Sequence, residues 1–394
     1  MKKILRFLVY ISLMGTVTGK IPISPLINLV GIFILFKRNL KLNKYFLPLL
    51  LLMLYCTMQI LILEPQSLVK YAFYRYDGNI FPSYLPLLFL SIFAVKFDFY
   101  KLIDFYIKFT LSILIIFNFL FPFSTFYAHN ALGGFVAEIV CIVTGILYVN
   151  LLIYKNISLK YIFFLTIAAF ILIKSDSRGS ILGALLSIFF VLILPKWRWK
   201  FFGFSLLIIF FIELIYIYPY WLKLGKPFSF FEYKEIQLNI EGFRWWTIID
   251  RVFYLWPRAL YDWLISPIFG IGFSKYNDIP YNFIGIKHFI SFNIANPIYS
   301  DYHAHNSFLH FLAETGILGL VLLIYTIYSL DRFIKLKLNN PFEKYVLLLL
   351  LWYLVFASLT EHRFTTPSQA IPFSILMGIA VANYNYQNKI LKFK

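Results

Sequence analysis

The sequence predicts an all-α polytopic membrane protein, and three observations predict it. Hydrophobic residues make up 61% of the 394 and charged residues only 14%, a balance far outside that of soluble domains. Apolar runs near the length needed to cross a bilayer recur from end to end, giving about twelve spans. Lys and Arg collect on alternate connections between those runs, as positive charge does on the cytoplasmic side of a membrane.

The runs are 4–19, 22–36, 45–63, 81–95, 103–121, 131–153, 161–173, 180–194, 201–218, 307–329, 344–360 and 370–386. The first nineteen residues read like a signal peptide, with Lys2, Lys3 and Arg6 ahead of an apolar core. More apolar runs follow at once, so the segment is expected to stay as an uncleaved first helix. Cys56 and Cys141 both fall inside apolar runs. Neither can join a disulfide framework or a Cys-based zinc site, and both read as packing within the membrane.

The formal charge of +18 would suggest a nucleic-acid partner in a soluble protein. Here it sorts by side. With a cytoplasmic N-terminus, the inner segments hold 21 Lys and Arg, while the short outer loops hold six: Lys20, Lys70, Arg75, Lys174, Arg178 and Arg363. Most of the charge is therefore topology, and no nucleic acid or other polyanion is needed to explain it. Three parts follow: spans one to nine over 1–218, one long periplasmic segment over 219–306, and spans ten to twelve with the cytoplasmic tail over 307–394. The middle part is far too long for a connector and is expected to be a folded functional insert carrying short amphipathic helices.

Chemistry gathers on the outer side. His303, His305 and His310 crowd the start of span ten, and Asn306 and Ser307 are good N-cap residues. His305 then stands just before the positive end of a helix dipole, which disfavours imidazolium and keeps a neutral, basic imidazole. The plainer alternative is a polar loop that only caps a membrane helix. His303, His305 and His310 could in principle ligate zinc, but no carboxylate or cysteine set completes the site by spacing, so no metal and no cofactor are expected.

Arg178 and Arg363 sit at outer helix ends against the sorting rule, which makes them functional candidates. Spans eight, ten and twelve all begin on the outside, and helix N-termini beside arginines suit phosphate. Arg178 could instead simply snorkel to the interface. In the long segment Arg244, Arg251 and Arg258 recur every seven residues among Trp245, Trp246, Trp256 and Trp263. On one helix the three arginines would share a face, drifting about 20° per heptad, unless Pro257 breaks it and Arg258 leaves the row. The stretch reads as an amphipathic helix lying on the outer leaflet, its arginines turned to an anion; an interfacial belt pairing with lipid headgroups is the alternative. The glycines of Pro267-Ile-Phe-Gly-Ile-Gly272 suggest tight backbone geometry, not a nucleotide site.

These motifs together resemble a known family. His305-Asn306, nine residues, then Gly316-Ile-Leu-Gly319 resembles the signature of the O-antigen ligase and polymerase superfamily. Ser177-Arg178-Gly179 is similar to its arginine motif. Arg251, Trp256-x-x-Ala259 and Pro267 to Gly272 are similar to its loop pattern. The order along the chain matches as well. Arg251 stands one residue further from Trp256 than that pattern expects, so Arg244 or Arg258 could hold the role instead.

The resemblance implies a metal-independent, GT-C-like glycosyltransferase in the bacterial inner membrane, with its site facing the periplasm. The donor would be a glycan on undecaprenyl diphosphate and the acceptor the lipid A–core. A diphosphate needs planar, permanently charged donors, which Arg178 and Arg251 would supply. The attacking sugar hydroxyl needs a base, which His305 would be. His303, Asn306, Arg244, Arg258 and Arg363 would support them. An O-antigen ligase is favoured over a polymerase because the outer chemistry lies in one large loop. A flippase or transporter for lipid-linked glycans is the rival from another class, but it should place ionisable residues near the midplane in paired, interrupted helices.

Overall fold

A computed structural model describes residues 2–18, 43–68, 79–120, 129–175, 177–221, 251–276 and 304–391. Among them lie twelve α-helices and no strand. They are α1 (Lys2–Thr18), α2 (Leu47–Leu63), α3 (Ile80–Ser91), α4 (Phe99–Leu120), α5 (His129–Ile153), α6 (Leu159–Lys174), α7 (Arg178–Ile188), α8 (Arg198–Trp221), α9 (Trp256–Ile265), α10 (Ser307–Lys337), α11 (Pro341–Ala357) and α12 (Pro367–Leu391). All but α9 fall on runs expected as spans; the expected run 22–36 lies outside the described residues. The stretches Lys44–Leu63, Gly133–Ile153 and Ser307–Lys337 are long and apolar enough to cross a membrane. The described residues are thus helical and without strands, as expected of a helical membrane protein.

Local chemistry sets several helix starts. Asn79, Asn306 and Asn340 each accept a backbone N–H from the first turn that follows, and Pro341 opens α11 where its missing N–H costs nothing. α11 is the centre of the bundle. Every residue from Val346 to Ala357 is buried, and the helix packs against α5, α7, α10 and α12. A helix apolar on all sides and buried on all sides is an inner helix. α6 and α8 instead expose Phe163, Phe170, Phe204 and Phe211 on a lipid-ready face.

Among the described residues, an ion pair between Arg198 and Asp331 is sealed inside. Arg198 at the start of α8 donates from Nη2 to both oxygens of Asp331 in α10, at 3.0 and 3.3 Å. The same carboxylate accepts from the indoles of Trp352 (2.9 Å) and Trp199 (3.3 Å) and pairs with Lys335. Burying two charges is costly unless every lone pair is used, and here the surrounding donors use them. The cluster ties α8, α10 and α11 together.

Two features depart from expectation. α10 is interrupted at Gly316, whose φ of 66° and ψ of −168° leave helical geometry. The described part of the arginine stretch, 251–265, is not one regular α-helix, and its first residues, 244–250, lie outside the described residues. Arg251–Leu255 forms a π-helical turn, Pro257 opens α9 in its first turn, and α9 packs onto α8 and α10. Arg251 and Arg258 take different partners, Glu361 and Tyr276, in line with the expectation that Arg258 leaves the row at Pro257.

Candidate active site

The site begins at the cap of α10. His305 is one of three non-glycine residues with positive φ among the described residues, at 48°. Histidine tolerates this left-handed conformation better than most side chains. Asn306 then caps the helix, its Oδ1 accepting from the N–H groups of Phe308 (3.0 Å) and Leu309 (3.1 Å). Its amide also donates to Leu359 O at 2.9 Å, and the Ser307 N–H donates to Ser358 O at 3.0 Å. Buried Asn306 thus latches the start of α10 to the 358–366 loop between α11 and α12.

That loop supplies Glu361. Its Oε2 lies 3.0 Å from His305 Nδ1, and its Oε1 is bonded by Arg251 Nη2. One carboxylate therefore joins residues 110 and 56 positions away. The His305 side chain is 21% exposed and that of Arg251 18%, whereas Glu361 at 8% lies beneath them. Burial would push the Glu361 carboxyl up. The hydrogen bond from His305 and the positive charges of Arg251 and Arg363 overcome this and hold it down at about 2. An ionised carboxylate accepts from Nδ1–H, which leaves the lone pair of a neutral imidazole on Nε2.

The other arginines surround this pair. Arg363, buried two residues beyond Glu361, donates to Ser180 Oγ at 3.2 Å. Arg178 opens α7 half-buried. The next residue, Gly179, fits so tightly under the loop that a Cβ there would lie 2.8 Å from Glu361 Cγ and 3.1 Å from Thr360 Oγ1. Glycine is needed for that approach, and it brings the N-terminus of α7 against Glu361. Two guanidiniums and two helix N-termini against one carboxylate, with Arg178 in the first turn of α7, leave an excess of positive potential, suited to a diphosphate.

The structure brings Arg178, Arg251, His305, Asn306 and Arg363 to one rim. Arg258 is turned elsewhere: Nη2 donates to Tyr276 O at 2.8 Å, the guanidinium stacks on the Tyr276 ring, and Asp262 lies 3.9 Å away. Burial raises the Asp262 carboxyl to about 7, and Arg258 only partly opposes this. Arg244 and His303 lie outside the described residues. His310 faces inward, 3.4 Å from Glu314 and edge-on to the His362 ring, so it does not share a centre with His305. Among the described residues no three of His, Cys, Asp and Glu are placed to hold a metal ion.

The sequence singles out Arg363 in this loop but does not show that Glu361, two residues before it, holds His305. The available signal was a carboxylate two residues before an arginine that breaks the charge-sorting rule.

A family model described as O-Antigen ligase matches residues 161–324, from α6 through the break in α10. No curated protein matches the chain. The match covers Arg178, Arg251 and His305 together and supports a glycosyl-transfer function of the O-antigen ligase or polymerase type. Residues 161–324, less than half of the chain, are thus similar to the O-antigen ligase family.

Proposed function

We propose that the protein is an O-antigen ligase. In this reading it moves a glycan from undecaprenyl diphosphate to a lipid A–core acceptor at the periplasmic face of the bacterial inner membrane. The scaffold would be a GT-C-like bundle of twelve spans, with the 219–306 segment on the outside. The observation that carries the reading is the sharing of Glu361 between His305 and Arg251.

The chemistry follows from the groups at the rim. The acceptor hydroxyl attacks the anomeric carbon of the donor sugar and gives its proton to His305 Nε2, which Glu361 keeps as the lone-pair nitrogen. The C1–O bond to the diphosphate breaks on the opposite face, so one displacement inverts the anomeric centre. The leaving group departs as an anion. It needs charge stabilisation rather than protonation, and Arg178, Arg251 and the helix N-termini supply it without a divalent metal. Two lipid-anchored substrates held in one leaflet add the proximity advantage.

The interruption of α10 beside His310 and Glu314 is a feature that carriers share. Here the groups opened by the break are taken up by the protein's own loop, which favours a transferase. The glycan profile of a strain lacking the gene tests the reading. Full-length glycan stranded on undecaprenyl diphosphate is the ligase outcome, and lipid A–core capped by a single repeat is the polymerase outcome. Transfer by purified protein in detergent, with no second compartment, separates either from a carrier.

A further inference from the structure

The helix break at Gly316 and the glycine loop at 267–272 are two halves of one joint. At the break the backbone turns to φ 66°, so helical hydrogen bonds are lost inside a buried helix. Unmet buried backbone groups are costly, and almost none persist in native structures. The loop meets them. Ile317 N donates to Pro267 O at 3.0 Å and Leu318 N to Ile268 O at 3.3 Å. In return Ile271 N donates to Ala313 O at 3.0 Å and Gly272 N to Glu314 O at 2.9 Å. From α2, Tyr55 Oη donates to Thr315 O (2.9 Å) and Phe269 O (3.0 Å), and Gln59 Nε2 donates to Phe269 O (2.6 Å).

Both glycines are required by the geometry. Gly270 has φ of 77°, and a Cβ there would run into the backbone of Glu314 and Thr315. A Cβ on Gly316 would run into the backbone of Ile268 and Gly270.

The joint also has a direction. The loop follows α9 without interruption, and α9 follows the turn that begins at Arg251. The half-helix before the break, Ser307–Thr315, begins beside His305. We infer that loop 267–272 splices the broken helix α10 and thereby sets Arg251 against His305 across Glu361, with Gly270 and Gly316 as positioning residues. That reacting pair comes from the proposed function, but the joint itself is a property of the unliganded fold.

The test uses the full chain in detergent, with no substrate. Amide hydrogen exchange is measured for Gly270→Ala, and for the milder double variant Tyr55→Phe, Gln59→Leu in case the first folds poorly. Protection at Ile271, Gly272, Ile317 and Leu318 should fall by about tenfold or more in both. Melting temperatures are then measured in a double-variant cycle of either change with Glu361→Gln. If the splice holds the Glu361 bridge together, the second change should cost much less once the first is made. Wild-type protection in both variants would overturn the splice, and strictly additive losses would overturn its positioning role. Neither result depends on whether the protein transfers glycans.

Discussion

Glu361 divides its two oxygens between His305 and Arg251, so a single buried carboxylate holds together the candidate base and a candidate diphosphate ligand. The two jobs pull in different directions. The bond to His305 orients the imidazole, whereas the bond to Arg251 competes with any phosphate for the same guanidinium.

Glu361→Gln should therefore separate catalysis from binding. The neutral amide no longer secures the tautomer and orientation of His305, and kcat should fall by about a hundredfold. The donor should bind as well as before or more tightly, because a negative charge has left the anion site. Initial rates over a range of donor concentrations check this; a raised KM with unchanged kcat would count against it.

Lysine cannot replace either rim arginine. Arg178→Lys and Arg251→Lys keep the charge but lose the planar fork that matches a diphosphate. Each should weaken donor binding and reduce transfer by at least about tenfold. Binding of undecaprenyl diphosphate to the purified variants measures the effect directly, and wild-type affinity in either would remove that arginine from the site.

Acid should leave the rim intact until far below neutrality. Glu361 has its carboxyl lowered from 4.5 to about 2, so its pairing is fully present above 4.5 and is lost as pH falls through about 2. Amide protection at residues 304–309, corrected for intrinsic exchange, should hold from pH of about 8 down to about 4. Loss of protection near pH of about 5 would mean that another group sustains the rim.

The buried Arg198–Asp331 pair makes no contact with Glu361, His305 or Arg251 and governs stability rather than chemistry. Asp331→Ala leaves Arg198 charged, 3% exposed and without its carboxylate. Breaking such a pair typically costs about 3–5 kcal/mol. A lower melting temperature in detergent, with an unchanged transfer rate per folded molecule, is the expected outcome.

Much of this was legible in the sequence because membrane helices announce themselves by apolar length. The run 45–63 became Leu47–Leu63, and the run from 307 began where Asn306 predicted. The rim arginines were legible for a related reason: Arg178 and Arg363 violate a rule that the other loops obey. What escaped was whatever depends on distant partners. Gly316 stood out only as part of a family-like signature, and nothing local reveals that it breaks the helix, because the loop that repairs the break lies more than forty residues upstream. The π-helical turn that opens at Arg251 was not legible either, because no local pattern of residues marks it. Glu361 drew no role from the sequence, since a carboxylate in a loop is ordinary until a histidine 56 positions away is found bonded to it.

The central claim is that His305 takes the proton from the attacking hydroxyl, and one measurement reaches it most directly. His305→Ala is purified in detergent, and its rate of glycan transfer is followed with the lipid-linked donor and the lipid A–core acceptor both present. The account predicts normal membrane insertion, retained donor binding and a rate lowered by at least about a hundredfold. Transfer at the wild-type rate would contradict it.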